Sequence, residues 1–419
     1  MIDEIKGNIS NPEILENLYR QDRRSFKAAF DKIYPEIGNT EVARFWKARM
    51  EYASKPEIFK IFTLSEIGTV VIICLIVAFL IKIPALFHPG IPENIFYMRN
   101  AAIIVFFGLT LYRILKNRIS EPGRIIMTTL AFLLPTIFIN LLPAETGRAS
   151  VNLSYIHLPL LMWFIYGTVF MGYDVRDKDK RIGFIRYNGD LAIIYALIAI
   201  AGGLLTVITI GLFESIGLNI GKFYSENIVV TGAAAAPVVA AYLIEKFPAL
   251  VSKIAPLIAG LFSPLVLITL VVFLVTIVVT GKDPYNDRDF LLIFNIMLLG
   301  VMGIIIFSVS ETSVIKNQKF NAVILFVLSI ITIIIDLIAL SAIFYRLREY
   351  GLSPNRLAVL ISNILVLINL ILIMTDLFRI NFRRKDFYVV EMTVSRFLPV
   401  YLLWIIIVTF GFPFIFGMK

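Results

Sequence analysis

One aspartate, Asp336, lies in the middle of a long apolar segment that runs from residue 320 to residue 344. An ionisable side chain at the centre of a membrane-spanning helix costs roughly 2.5–3.5 kcal/mol on insertion scales, so such residues usually have a partner or a function. A carboxylate at that depth can belong to a pathway for protons or ions, or it can accept hydrogen bonds that fix helix pairing. Exposure to lipid is disfavoured, because the aspartate side chain is too short to reach the membrane surface.

Polar residues of the next apolar segment are placed to face Asp336. The chain turns at residues 351–354 and continues into the segment 356–379, which predicts an antiparallel helical hairpin. At equal distances from the turn, Asn363 and Asn369 come within one or two helical turns of the level of Asp336. The predicted polar cluster comprises Asp336, Ser341, Ser362, Asn363 and Asn369. It is either a structural hydrogen-bonded core or a pathway for protons, ions or a polar substrate.

The turn between the two segments has a signature of its own. Gly351 can adopt the left-handed backbone conformation that ends a helix. Ser353 can cap the following helix, with Pro354 at its first position. These three residues are the predicted structural turn.

Three arginines, Arg346, Arg348 and Arg356, surround this turn, with one acid, Glu349, among them. Arginine presents a planar fork of donors that suits carboxylates and phosphates. One hypothesis is therefore a site for an anionic ligand, a lipid headgroup or an acidic protein partner. The alternative is pairing within the chain together with solvation.

The run Tyr-Arg-Leu-Arg-Glu-Tyr-Gly-Leu-Ser-Pro-Asn-Arg at residues 345–356 resembles the signature of a bacterial polytopic membrane family classed as a domain of unknown function (4153). The resemblance leaves out the first 60 residues, and it is carried by Arg346 or Arg348, Tyr350, Gly351, Leu352, Ser353 and Arg356. It implies a bacterial cytoplasmic membrane protein and brings no activity. Through this motif Tyr350 joins the candidate binding residues.

The composition indicates a membrane protein. Of the 419 residues, 58% are hydrophobic and only 16% are charged, and the mean hydropathy is +0.85. Soluble domains carry about 25% charged residues. From residue 66 onward the chain alternates apolar runs near the ~20 residues that cross the hydrocarbon core with short polar breaks. The prediction is an all-α bundle of about eleven spans (ten to twelve), at residues 66–83, 99–116, 124–143, 155–173, 190–213, 228–245, 253–280, 289–310, 320–344, 356–379 and 396–417.

The first 60 residues are predicted to form a separate, soluble and cytoplasmic helical hairpin, followed by the membrane bundle at residues 61–419. Asn11 and Pro12 begin the first amphipathic helix, and a second begins near Thr40. With 11 Lys/Arg against 10 Asp/Glu, this region does not favour a polybasic lipid-binding arm. It is expected to pack against the spans or to bind a protein partner.

Lysine and arginine in the breaks predict that the N-terminus is cytoplasmic. That orientation gives the cytoplasmic side 22 basic residues and the other side 10, which include Arg346, Arg348 and Arg356. The bundle is therefore predicted to be N-in, with the arginine-rich turn outside.

Several classes of function are disfavoured. The net charge of +9 is explained by basic residues in alternate breaks, so nucleic-acid binding is not expected. The chain contains no phosphate-binding glycine loop, zinc-binding His-Glu-x-x-His helix or serine-nucleophile turn, and we predict no catalytic residue, metal or cofactor. Its two histidines, His88 and His157, lack metal-ligand spacing and are expected to be interfacial.

Three functions remain. The first is a transporter-like or channel-like protein whose polar centre is the Asp336 hairpin. The second is a non-catalytic scaffold or assembly subunit that uses residues 1–60 and the external arginines as contact surfaces. The third, which is less favoured, is a membrane enzyme acting on a lipid-linked substrate.

The predicted orientation can be tested with reporter fusions at Tyr350. We expect a reporter that is active only outside the cytoplasm to be active there, because the count of basic residues places this turn outside. A fusion at Asp177 should give the opposite signal. A cytoplasmic signal at Tyr350 would overturn the orientation.

Overall fold

The computed structural model describes residues 2–9, 11–38, 40–54, 64–87, 92–143, 147–215, 218–280, 285, 288–312 and 318–418. All regular structure in these ranges is helical, and they contain no strand. The predicted all-α helix bundle is confirmed.

The chain divides into two compact units, Met1–Ile67 and Gly68–Lys419. The first unit contains four helices rather than the two of the predicted hairpin: α1 (Ile2–Gly7), α2 (Pro12–Gln21), α3 (Arg23–Ile37) and α4 (Glu41–Ser54). The first predicted helix is divided at Asp22, whose carboxylate accepts a hydrogen bond from the Ser25 backbone N–H at 3.0 Å and so caps α3.

The N-terminal unit has its own hydrophobic core. Phe26 and Phe30 are fully buried. The Trp46 ring packs edge-on against Tyr19 and is tilted against Phe26. A surface groove lined by Glu13, Glu16, Glu41, Val42, Phe45 and Trp46 runs between α2 and α4. The protein partner suggested for residues 1–60 remains a prediction, as does the cytoplasmic location of this unit.

Among the described residues, eleven helices are long and apolar enough to cross a membrane. Two of them contain a π-helical turn, at Ser225–Val229 and Ile407–Gly411. Helix α5 (Leu64–Ile81) begins in the last residues of the first unit and continues into the second. The further helices of the second unit are α6 (Ile83–Phe87), α7 (Glu93–Lys116), α8 (Pro122–Leu141), α9 (Ala149–Phe170), α10 (Lys178–Ser215), α11 (Gly221–Tyr224), α12 (Val230–Lys246), α13 (Pro248–Thr280), α14 (Arg288–Thr312), α15 (Gln318–Tyr350), α16 (Pro354–Arg383), α17 (Tyr388–Ile406) and α18 (Phe412–Ile415).

Two helices begin well before the predicted spans. Helix α10 starts at Lys178 instead of residue 190, because the Asp177 carboxylate accepts hydrogen bonds from the backbone N–H groups of Asp179 and Lys180 at 2.9 and 3.2 Å. Helix α17 starts at Tyr388 instead of residue 396, where the Asp386 carboxylate accepts from the Tyr388 N–H at 2.7 Å. Both extensions bring charged residues into the bundle.

Helices α15 and α16 form the predicted antiparallel hairpin and pack along most of their length. Ile335, Ala339, Val366, Leu370 and Ile373 belong to one buried hydrophobic cluster. Helices α13 and α14 pack against α15, while α17 packs against α16 and also contacts α9, α10 and α14. The hairpin therefore packs against α9, α13, α14 and α17, while Leu337 and Leu372 remain exposed at the outer surface.

The outer surface of the bundle is apolar. None of the residues in the most apolar stretch of α10 is buried, and Ile200 and Val207 are 69% and 71% exposed. Soluble proteins rarely expose such continuous apolar faces, whereas a bilayer covers them. The protein is a multi-pass membrane protein, and its N-in orientation remains a prediction.

Candidate functional site

Asp336 lies in the middle of α15 and is completely buried. Both of its carboxylate oxygens are buried, and neither accepts a hydrogen bond within the part of the chain that the structure describes. Burial of an unpaired carboxylate charge costs several kcal/mol, even after the protein has relaxed around it. The structure thus retains an acid at a position where no described donor compensates it.

Asn369 and Tyr401 accompany Asp336 at this depth. The Asn369 amide donates to the Tyr401 hydroxyl at 3.0 Å, and Asp336 is within electrostatic range of that hydroxyl. The Asn369 carbonyl oxygen is also buried without a described donor. We call Asp336, Asn369 and Tyr401 the Asp336 layer; three of its buried oxygens, two of Asp336 and one of Asn369, accept no hydrogen bond from a described residue. Such a layer suits a proton or a small cation.

The rest of the predicted polar cluster points elsewhere. The Asn363 amide donates to Asn295 of α14 at 2.6 Å, and Ser362 accepts from the Trp404 indole N–H at 2.9 Å. Ser341 lies 3.2 Å from the Tyr285 hydroxyl at the exposed surface. Six residues separate Asn363 from Asn369, which turns their side chains about 120° apart on a helix. Of these residues, only Asn369 bonds to Tyr401, the residue that interacts electrostatically with Asp336.

The hairpin turn is closed by local interactions. Gly351 has a φ of +71°, and the Ser353 hydroxyl accepts from the Arg356 backbone N–H at 3.3 Å, with Pro354 as the first residue of α16. The Arg356 guanidinium donates to the backbone oxygens of Tyr350 and Gly351, both at 2.7 Å. Arg356 thus caps the C-terminal end of α15, where a cation is favourable.

The other arginines at the turn are arranged around Tyr350. The guanidinium carbons of Arg346 and Arg356 lie 5.9 and 5.4 Å from the centre of the Tyr350 ring, within the range of cation–π attraction. Arg348 is exposed, and neither it nor Arg346 forms an ion pair among the described residues. Binding of an anion or an acidic partner here remains a prediction, and it would fall to Arg346 and Arg348.

A cavity of about 450 Å³ lies beside the Asp336 layer. Tyr401 and Val366 form the wall that it shares with this layer, and helices α9, α10, α14, α16 and α17 surround it. Its polar side chains are bonded within the protein: Asn188 accepts from the Trp163 indole N–H at 2.9 Å, and His157 Nδ1 lies 2.8 Å from the Leu153 oxygen. The lining also includes Phe164, Phe307, Ser362, Leu365, Leu398 and Trp404.

Sequence reasoning missed a charged cluster near this cavity. Arg186 donates to the Ser310 backbone oxygen at 2.8 Å and to Glu391 at 3.3 Å, and its Nε lies 3.7 Å from Glu311. Glu311 and Glu391 are only 2% and 7% exposed. Asp190 follows Arg186 by one turn of α10.

The position of this cluster links it to the cavity. Ile185 and Gly189 line the cavity beside Arg186 and Asp190, and Phe307 lines it one turn before Glu311. The predicted spans left out Arg186, Glu311 and Glu391. The sequence did contain a signal for Arg186, since the helical pattern of the span that begins at Asp190 continues in the N-terminal direction through Arg186.

No group of three or more His, Cys, Asp or Glu side chains within the described ranges is arranged to hold a metal ion. His157 lines the cavity, and His88 lies outside the described residues.

The charged cluster gives a stability prediction. Arg186→Met removes the cation that faces Glu311 and Glu391. We expect it to destabilise the protein by roughly 2–4 kcal/mol, because losing one partner of a buried pair leaves uncompensated charge. The range includes a discount for the Arg186 side chain being 34% exposed. The midpoint of thermal unfolding in detergent measures the effect.

Lys180→Met is the matched control. Lys180 pairs with Asp174 at 2.9 Å on the exposed surface, and this hydrogen bond holds the pKa of Asp174 below its ordinary value. Exposed pairs are strongly screened, so its unfolding midpoint should barely change. Equal midpoints for Arg186→Met and Lys180→Met would contradict the structural role of Arg186.

Comparison with known proteins adds no assignment. No family model matches the chain, and neither a curated protein nor a solved structure matches it. The resemblance of the segment around Tyr350 remains a prediction, so function must be inferred from the chemistry of the site.

Proposed function

We propose that this multi-pass membrane protein is a transporter in which Asp336 binds a proton or a small monovalent cation. The observation that carries the proposal is the completely buried Asp336 carboxyl, which has no described donor and lies beside the Tyr401 wall of a cavity. A proton or a cation would neutralise the carboxylate and remove the cost of its burial.

A purely structural role fits Asp336 poorly. Polar residues that fix helix pairing bond to the facing helix, as Asn363 does with Asn295. Asp336 accepts no such bond from a described residue. The α15–α16 hairpin therefore contains one polar residue, Asn363, that is bonded to a facing helix, and one acid, Asp336, that is not bonded to any described residue.

The surroundings of Asp336 also support a cation site. Asn369 contributes one further acceptor oxygen, and the Tyr401 hydroxyl stands between this layer and the cavity. Binding of a cation at Asp336 would change the charge beside the cavity wall. Such a change can couple cation binding to the binding of a cargo in the cavity, because α16 and α17 form part of both sites.

Flux measurements test this proposal. Proteoliposomes containing the wild-type protein should dissipate an imposed proton or Na⁺ gradient faster than protein-free liposomes. The proton and Na⁺ gradients are followed in separate experiments with ion-sensitive dyes. Asp336→Asn should return the rate to that of protein-free liposomes, because the amide can neither bind a proton at this site nor balance a cation's charge.

The controls separate function from folding. Asp174→Asn removes a carboxylate in an exposed connection and should leave the flux unchanged. Asp336→Asn should unfold at a temperature no lower than that of the wild type, since a neutral amide is less costly to bury than an unpaired carboxylate. Wild-type flux in a well-folded Asp336→Asn protein would reject Asp336 as the cation site, and wild-type flux no faster than that of protein-free liposomes would favour a scaffold.

A further inference from the structure

The cavity beside Tyr401 opens towards the lipid-facing surface of the bundle. Two of its lining residues, Leu160 of α9 and Leu299 of α14, are 46% and 55% exposed, and Gly303 of α14 is exposed as well. Other lining residues are deeply buried, with Val366 at 2% and Trp404 at 8% exposure. The cavity therefore runs from the surface that contacts the bilayer to the wall near Asp336.

The chemistry of the lining selects an apolar occupant. Trp163 and Trp404 direct their indole N–H groups to Asn188 and Ser362, so these polar atoms are already bonded within the protein. A sugar or a multiply charged ligand would lose its hydration without regaining enough hydrogen bonds. A hydrocarbon chain moves from lipid into an aliphatic and aromatic cavity without that cost. The volume of about 450 Å³ lies in the range of small-molecule sites.

We propose that this cavity binds the acyl chain of a bilayer lipid, which enters between α9 and α14. A lipid is the expected ligand because the cavity mouth, at Leu160 and Leu299, is continuous with the surface that contacts the bilayer. That the acyl chain belongs to the transported cargo rests on the proposed function. Occupancy of the cavity is a separate property and can be measured without transport.

Gly303 offers a way to block the cavity. A Cβ added at Gly303 would meet no atom within 4 Å, so a large side chain can be placed at the mouth without a clash at its base. Gly300, on the same helix, has equally open surroundings and does not line the cavity. Gly303→Phe and Gly300→Phe therefore form a matched pair. Gly189 is unsuitable, because its added Cβ would lie 2.1 Å from the Phe307 ring.

The experiment uses the full-length protein in phosphatidylcholine nanodiscs that contain some phosphatidylcholine with a diazirine in its acyl chain. After irradiation, mass spectrometry locates the labelled residues. We expect label on the buried walls at Val366 and Trp404, in addition to exposed residues such as Ile200. Gly303→Phe should lose most of the wall label and keep the label at Ile200, while Gly300→Phe should match the wild type.

Two outcomes would overturn the proposal. One is label at Ile200 with none on the cavity walls of the wild type. The other is wall label that persists in both Gly303→Phe and a second mouth variant, Leu299→Trp. If Gly303→Phe fails to fold, Leu299→Trp and the wild-type label distribution still decide the question.

The results also separate this inference from the proposed function. Wall label together with normal flux in Asp336→Asn would leave a lipid site in a protein that does not transport through Asp336. Flux that depends on Asp336 without wall label would support the cation site and reject the acyl-chain site.

Discussion

The hydrocarbon core of a bilayer offers no hydrogen bonds, so each polar group within it must be satisfied by another part of the protein. The bundle follows this constraint at many contacts between helices. The Asn100 and Asn140 side chains exchange amide hydrogen bonds, the Tyr166 hydroxyl donates to Tyr187, and Ser263 lies 2.7 Å from Ser308. Arg99, which is 2% exposed, donates to the backbone oxygens of Asn140 and Leu142 at the end of α8. These contacts position α7, α8, α9, α10, α13 and α14.

Asp336 departs from this pattern in the middle of α15. The hydroxyls of Thr110 and Thr409 are also buried without a described partner, but a neutral hydroxyl is far less costly to bury than a carboxylate charge. Helix α15, which contains this acid, packs against α13, α14 and α16. In the proposed transport function, the free-energy change of cation binding would therefore act at Asp336, next to the Tyr401 wall.

The charged cluster and Asp336 both lie near the same cavity, and neither of them lines it. Arg186 joins α10, α14 and α17 through Ser310, Glu311 and Glu391, and those three helices contribute to the cavity wall. These charged contacts therefore hold three of the helices together next to the cavity. The lining of the cavity itself is mostly aromatic and aliphatic, and its mouth lies between the exposed side chains of Leu160 and Leu299. The charged cluster therefore stabilises the helix packing, and the apolar cavity is the part that we propose to bind a ligand.

The sequence alone determined the class of the protein, because hydropathy in runs of membrane-spanning length admits few structures other than a helical bundle. It also determined the α15–α16 hairpin, where Gly351, Ser353 and Pro354 act through neighbours only a few residues away. The tertiary structure decided what the polar residues contact. Asn363 and Asn369 look alike in the sequence, yet one faces Asn295 and the other Tyr401. The charged cluster around Arg186 and the cavity are likewise products of packing between helices far apart in the chain. Hydropathy records how apolar a helix is, whereas helix rotation and choice of neighbours arise only when all the faces are packed together.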